Sequence, residues 1–333
     1  MRGKTARSYA STTDAGKDRW ALLLAGGDGV RLRSMTRELA GDDRPKQFCR
    51  VMGGETLFEQ TLRRALLTVP RSNTMAVVTE RHERFYKALL PAIGIPEVVS
   101  QPENRGTAAG ILYPLLRLAA LGPEASVAIF PSDHHFSDDR RFAAHVDGAF
   151  RAAEADPSRV LLLGIIPDTH EAEYGWIEPG APLGPAGART AQCVRQFWEK
   201  PDAGFAATLR ERGCVWNSFV MFGRVLAFLD LVRDCLPALF DAFAALGPLT
   251  GGPGETEKVA ALYRGLVPAD FSREVLSARP GALGVIPVWG VTWSDLGSPE
   301  RVLRARKELG PPILEATTPP ERPSHICPEL TVS

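Results

Sequence analysis

A short apolar run, Trp20-Ala21-Leu22-Leu23-Leu24, stops on Ala25-Gly26-Gly27-Asp28-Gly29-Val30-Arg31-Leu32. A run of this length ending at glycines predicts a buried strand that feeds a tight loop. Glycine tolerates the positive φ values of a concave turn, and successive amides in such a turn form a nest for phosphate oxygens. With Arg31 at its end, the unit points to a nucleotide. It is neither of the common phosphate loops. Gly3-Lys4-Thr5 leaves no room for the upstream glycine of a P-loop, and Leu32 stands where a dinucleotide fingerprint needs its third glycine. A glycine-rich surface turn is the alternative, and the rest of the chain decides between them.

Similar apolar runs recur between helical patterns. Met75–Thr79, Val127–Phe130 and Val160–Ile166 read as strands, Ile111–Leu121 and about Arg140–Ala155 as helices. Shorter strands are expected at Tyr174–Ile177, Val194–Trp198, Val215–Phe222 and Leu283–Val288, as a lobe built onto the same sheet. This alternation predicts an α/β fold, a mostly parallel mixed sheet with helices on both faces. Ligands of such sheets sit outside the carboxyl ends of the strands. The glycine loop and Pro131-Ser132-Asp133-His134-His135 both fall at that edge. Residues 1–18 read as a disordered lead-in, 19–309 as the catalytic domain and 310–333 as a proline-rich tail.

Lys+Arg and Asp+Glu are both 39, which gives no global pull toward nucleic acid or an acidic membrane. No apolar run approaches a membrane span, and residues 1–18 lack the apolar core of a signal peptide. Five scattered cysteines show neither zinc spacing nor a disulfide framework. The expectation is a cytoplasmic protein with reduced thiols.

Asp133 at a strand end beside a phosphate loop suits Mg²⁺, which takes one or two carboxylates and completes its shell with water and phosphate. A turn-capping role is the plainer reading. Asp295, in Trp293-Ser294-Asp295-Leu296-Gly297-Ser298, carries the same pair of readings, and with the phosphate loop the two aspartates make a metal clamp. Asp133-His134-His135 would also begin a dinuclear phosphoesterase site, but His82, His145, His170 and His325 supply no partnering pattern. Lys46 is a candidate for neutralising phosphate charge. In Phe197-Trp198-Glu199-Lys200-Pro201, Glu199 can accept from two sugar hydroxyls while Lys200 holds a phosphate as a point charge. Asn217 can donate and accept, and Gly175 allows close approach to backbone. Phe197, Trp198, Trp216, Trp289 and Trp293 read as core.

Taken in order, Leu24–Leu32, Arg44-Pro45-Lys46-Gln47-Phe48, Phe130–His134, Tyr174–Ile177, Phe197–Pro201, Trp216-Asn217-Ser218 and Trp293–Ser298 resemble the motif series of the sugar-1-phosphate nucleotidyltransferases, most closely the mannose-1-phosphate guanylyltransferase group, over about residues 20–305. The resemblance implies a nucleotide-diphospho-sugar transferase (Rossmann-like) fold. It implies transfer of a nucleotidyl group from GTP to mannose 1-phosphate with Mg²⁺ held by Asp133 and Asp295. The rivals are another hexose 1-phosphate or base, and a non-catalytic nucleotide-sugar-binding regulator. Leu24, Ala25, Gly26, Gly27, Gly29 and Arg31 would hold the triphosphate, Asn104, Gly106 and Thr107 would meet the base, and Lys46 would balance charge. Gly175, Glu199 and Asn217 would read the sugar, with Lys200 on its phosphate. The partners implied are these two small molecules, and a homodimer is compatible with the reading. Three departures stand out: Ser34 replaces a usual proline, residues 39–43 lengthen a loop, and Phe219 replaces the glycine that usually follows Trp-Asn-Ser.

Overall fold

A computed structural model describes residues 18–184 and 191–308. The expected lead-in (Asp18 apart), the tail from 310 and Cys327 lie outside the described residues. The strands are β1 (Arg19–Leu24), β2 (Thr74–Thr79), β3 (Glu97–Gln101), β4 (Ser126–Pro131), β5 (His135–Phe136), β6 (Val160–Ile165), β7 (Gly175–Pro182), β8 (Gln192–Glu199), β9 (Val215–Arg224), β10 (Leu283–Val288) and β11 (Trp293–Ser294). Nine of them form one sheet in the order β3-β2-β1-β4-β9-β6-β10-β8-β7, while β5 and β11 pair as a small ribbon. The neighbours among β1–β4 pair in parallel, as do β6 and β10. Strand β9 runs antiparallel to β4, β6 and β7, and β8 antiparallel to β10 and β7. All but β8 and β9 therefore point the same way, and the later strands join the same sheet.

The helices are α1 (Arg33–Ala40), α2 (Leu57–Ala65), the single turns α3 (Glu83–Tyr86) and α4 (Leu89–Ala92), α5 (Gly106–Leu121), α6 (Asp139–Ala155), α7 (Ala203–Glu211), α8 (Val225–Cys235), α9 (Pro237–Ala244), α10 (Glu255–Gly265) and α11 (Pro299–Glu308). Alternate residues of a strand face opposite sides. Leu22 accordingly joins a core with residues of α5, α8, α9 and α10, whereas Ala21 and Leu23 join another with α2, α6 and α7. A third cluster (Leu32, Cys49, Val51, Met52, Leu57, Leu296, Val302, Ala305) ties the glycine-loop segment and the Lys46 segment to α11.

Helix starts follow local chemistry. Thr56 and Glu59 form a capping box on α2, and the Asp138 and Asp202 side chains cap α6 and α7. Helix α5 begins at Gly106, five residues before the expected Ile111, and carries Pro114 inside. Its first turn is fixed by tertiary contact, since the Ala108 N–H donates to the Ala269 carbonyl.

Register puts the site together. Leu24 lies opposite Val77 and Pro131, and Thr79 opposite Gln101, so β1–β4 end at one edge. Because β9 is reversed, its beginning reaches that edge, with Asn217 opposite Gly164 and Trp216 opposite Ile165. No helix among the described residues is long and apolar enough to cross a membrane.

Candidate active site

The glycine loop is shaped by side chains that hold its carbonyls. Ser132 Oγ donates to the Leu24 carbonyl (2.6 Å), Thr79 Oγ1 to that of Gly26 (2.9 Å), and Gln47 Nε2 to those of Ala25 and Gly27 (both 2.8 Å). With four consecutive carbonyls engaged and the Ala25 N–H donated to the Val77 carbonyl (2.7 Å), it is the N–H groups beyond Ala25 that can face an anion, as a phosphate nest requires. Gln47 thus does the fixing, although its place beside Lys46 in the sequence carries no sign of it.

A cleft of about 290 Å³ opens beside this loop. Of the residues singled out in the sequence, Leu24, Gly26, Gly27, Asn104, Gly106, Thr107 and Asp133 line it. Asn104 Oδ1 accepts from the Gly106 N–H (3.0 Å) at the start of α5, and the Thr107 hydroxyl accepts from the Phe271 N–H (2.8 Å). Gly106 has φ +85°, and a Cβ there would lie 2.2 Å from the Ala269 carbonyl oxygen, so only glycine fits. Gln101, Asp270 and Ser272 also line the cleft and escaped sequence reasoning. The Gln101 carboxamide sits at the end of β3, its Oε1 accepting from the Tyr263 hydroxyl (3.3 Å). Ala25 and Gly29 are not among the lining residues. Ala25 is buried, and Gly29 precedes the short turn Val30–Leu32.

Lys46 is buried and joins the two aspartates. Its Nζ lies 3.2 Å from Asp133 Oδ2 and donates to the Asp295 backbone carbonyl. Burial pushes the Asp133 carboxyl up, but the Lys46 ammonium and neighbouring His134 outweigh it and hold the acid below the ordinary range. Asp133 caps no helix; Asp138 does that work. Asp295 does close a turn, its Oδ1 accepting from the Gly297 N–H at 2.8 Å. Two hard carboxylates beside a phosphate nest suit Mg²⁺ better than a softer metal. Among the described residues no three His, Cys, Asp or Glu gather as a closed metal cage, and Mg²⁺ with phosphate needs none. Arg31 stands apart: its guanidinium is 60% exposed and 3.4 Å from Glu173.

The remaining residues assemble where β7, β8 and β9 meet. A Cβ on Gly175 would lie 3.0 Å from Glu199 Oε2 and 3.3 Å from Asn217 Cβ, so the missing side chain makes the space between them. Lys200 Nζ is 3.5 Å from Glu199 Oε1. Burial raises the Glu199 carboxyl above its ordinary range, against Lys200 and with Asp270. Phe219 connects the two regions: it lines the cleft, and its N–H donates to Asn217 Oδ1 (3.0 Å). Among the described residues the non-glycine positions with positive φ are Lys200 (51°), Phe219 (59°) and Leu296 (48°). All three follow directly on, or belong to, the motifs read as functional. The glycine expected at position 219 has its physical reason in that φ. Phe197, Trp216 and Trp293 are buried as expected, but Trp289 is 57% exposed, because it lies in the turn beyond β10. The described cysteines are free thiols.

The glycine loop with its carbonyls tied back, and a buried lysine reaching from the Asp133 carboxylate to the Asp295 backbone, lie together at one sheet edge. The chain belongs to the nucleotidyl transferase family, whose model matches residues 20–310. It is 31% identical over 224 residues to the xanthan biosynthesis protein XanB of Xanthomonas campestris pv. campestris (strain B100), covering 66% of this chain and 45% of that protein. It is 28% identical to a mannose-1-phosphate guanylyltransferase of Sinorhizobium fredii (strain NBRC 101917 / NGR234), covering 86% of this chain and 54% of that one. The chain thus spans about half the length of these relatives. Among solved structures it is similar to a mannose-1-phosphate geranyltransferase from Thermus thermophilus, with TM-score 0.71, 29% identity and coverage of 84% of this chain and 76% of that one.

Proposed function

We propose that the chain transfers a guanylyl group from GTP to mannose 1-phosphate, forming GDP-mannose and pyrophosphate. The observation that carries the reading is Lys46, buried between the Asp133 carboxylate and the Asp295 carbonyl beside a loop whose carbonyls from Leu24 to Gly27 are tied back. The mannose-1-phosphate guanylyltransferase among its relatives supports the choice of sugar and base.

A sugar-phosphate oxygen attacks the α-phosphorus in line, the bond from that phosphorus to the bridging oxygen breaks, and pyrophosphate departs with the electron pair. No proton needs to move and no covalent enzyme intermediate forms. Both reactants are polyanions, so the work is positioning and charge neutralisation. The loop amides and Arg31 hold the triphosphate, Lys46 faces the reacting phosphates, and Gly175, Glu199, Asn217 and Lys200 orient the sugar phosphate. Asp133 and Asp295 would hold Mg²⁺, which when bound would supply charge stabilisation at the phosphates.

Pyrophosphate release with Mg²⁺, measured across four nucleoside triphosphates and several hexose 1-phosphates, tests this. The expected maximum is GTP with mannose 1-phosphate, and a maximum elsewhere would move the substrate while keeping the reaction. Absence of release from folded protein that still binds a nucleotide sugar would overturn catalysis in favour of a regulatory binder. Asp133→Ala and Asp295→Ala should each remove Mg²⁺-dependent turnover while leaving the far-UV circular dichroism unchanged. Wild-type-like turnover in either would sink the metal assignment.

A further inference from the structure

Arg301 on α11 is 5% exposed, yet no motif of the reaction uses it. Its Nε lies 3.3 Å from Asp295 Oδ1, its Nη1 3.5 Å from Glu171 Oε2, and its Nη2 donates to Glu173 Oε2. The guanidinium also lies 5.0 Å above the Tyr174 ring, which itself packs on Trp216 and Trp293. We propose that Arg301 is a positioning residue for Asp295, turning one carboxylate oxygen toward itself so that the other faces the cation; this rests on the reaction proposed above.

The geometry gives the direction. The Gly297 N–H donates to Asp295 Oδ1, and Arg301 Nε makes its closest approach to the carboxylate at that same oxygen, as an ion pair rather than a hydrogen bond. A carboxylate fixed through one oxygen presents the other in a single orientation, as outer-shell partners of metal ligands do elsewhere. The guanidinium is itself held from three sides, by Glu171, Glu173 and the Tyr174 face. Glu173 also lies 3.4 Å from Arg31, so the same network runs on to the arginine beside the glycine loop. Helix α11 is anchored for this task by Val302 and Ala305, which pack with Leu296 and Leu32.

The opposing effect is electrostatic, since a cation near Asp295 weakens its pull on a metal. Glu171, Glu173 and Asp295 share this guanidinium, so much of its charge is neutralised locally and its repulsion of a cation at Asp295 is reduced. A lysine separates the two effects, because it keeps the charge but lacks the planar fork that reaches several carboxylates at once.

The test is titration of Mn²⁺, read by electron paramagnetic resonance of the free ion, in the presence of a non-hydrolysable GTP analogue. Arg301→Met is expected to weaken Mn²⁺ binding about tenfold, and Arg301→Lys to recover little of that loss. A double variant, Glu171→Gln with Arg301→Met, removes one carboxylate left without a counter-charge and guards against misfolding; the same loss is expected. Equal or tighter Mn²⁺ binding by the folded Met variants, or full recovery by lysine, would overturn the positioning role alone. Wild-type protein that binds no Mn²⁺ with the analogue would overturn the reaction reading and this role together.

Discussion

At Phe219 backbone and side chain pull in opposite directions. A φ of 59° costs an L-residue roughly 1–2 kcal/mol that glycine does not incur. The ring recovers part of this by packing edge-on against Phe271, with centroids 6.4 Å apart. Phe219→Gly should therefore change stability by less than about 1 kcal/mol, where a well-packed aromatic truncation costs about 3–5 kcal/mol. Thermal denaturation checks this, and a loss in the larger range would show that ring packing dominates. The same variant opens the wall between the cleft and Asn217, so its preference among hexose 1-phosphates should broaden in the substrate matrix. Glu199 supplies a second residue-scale outcome. Its carboxyl is raised by burial, so it protonates above the ordinary carboxylate range as pH falls, whereas Asp133 stays ionised. By linkage, a raised acid favours the fold at low pH and loses that contribution as pH rises through its folded value. An ionised Glu199 accepts sugar hydroxyls, so KM for the sugar 1-phosphate should rise in that acid window while KM for the nucleotide holds. Glu199→Gln should abolish the inflection; an unchanged profile would assign it to another group.

Among the elements, α2 shows how a helix far from the chemistry supports it. Phe58 packs against Phe48 (6.2 Å between centroids), which ends the turn Lys46–Phe48 carrying the bridging lysine. The Thr56–Glu59 capping box fixes the start of that helix, so Thr56→Ala should cost about 1 kcal/mol by denaturant titration. An unchanged midpoint would mean that water replaces the cap without loss. Most strands were readable from their apolar runs; Leu283–Val288 matches residue for residue. The first turn of helix α5 was not, because Gly106 opposes helix formation locally and the Ala269 contact overrides it. The widened step in β9, where Met221 and Asn217 face Leu162 and Gly164, was equally hidden. It places Phe219 at the cleft, and no periodicity announces an irregular step between strands.

For the whole molecule, loops after β1, β3 and β4, the beginning of β9 and the segment at Asp270–Ser272 enclose one cleft. A ligand that spans them binds only the folded chain. GTP with Mg²⁺ at a hundred times its Kd should raise Tm by roughly 5 °C. No shift would argue against nucleotide binding in this cleft. The strand–glycine loop unit and the ordered motifs were enough by themselves to specify an α/β sheet and the family, because each is local in the chain. The structure alone decided how those groups meet. It turned the loop carbonyls onto Gln47, Ser132 and Thr79, and brought Gln101 and Asp270 to the cleft. It also set Arg301 against Asp295 and Glu173 against Arg31. Those contacts join residues far apart in the chain, and only sheet register and strand direction determine which of them become neighbours.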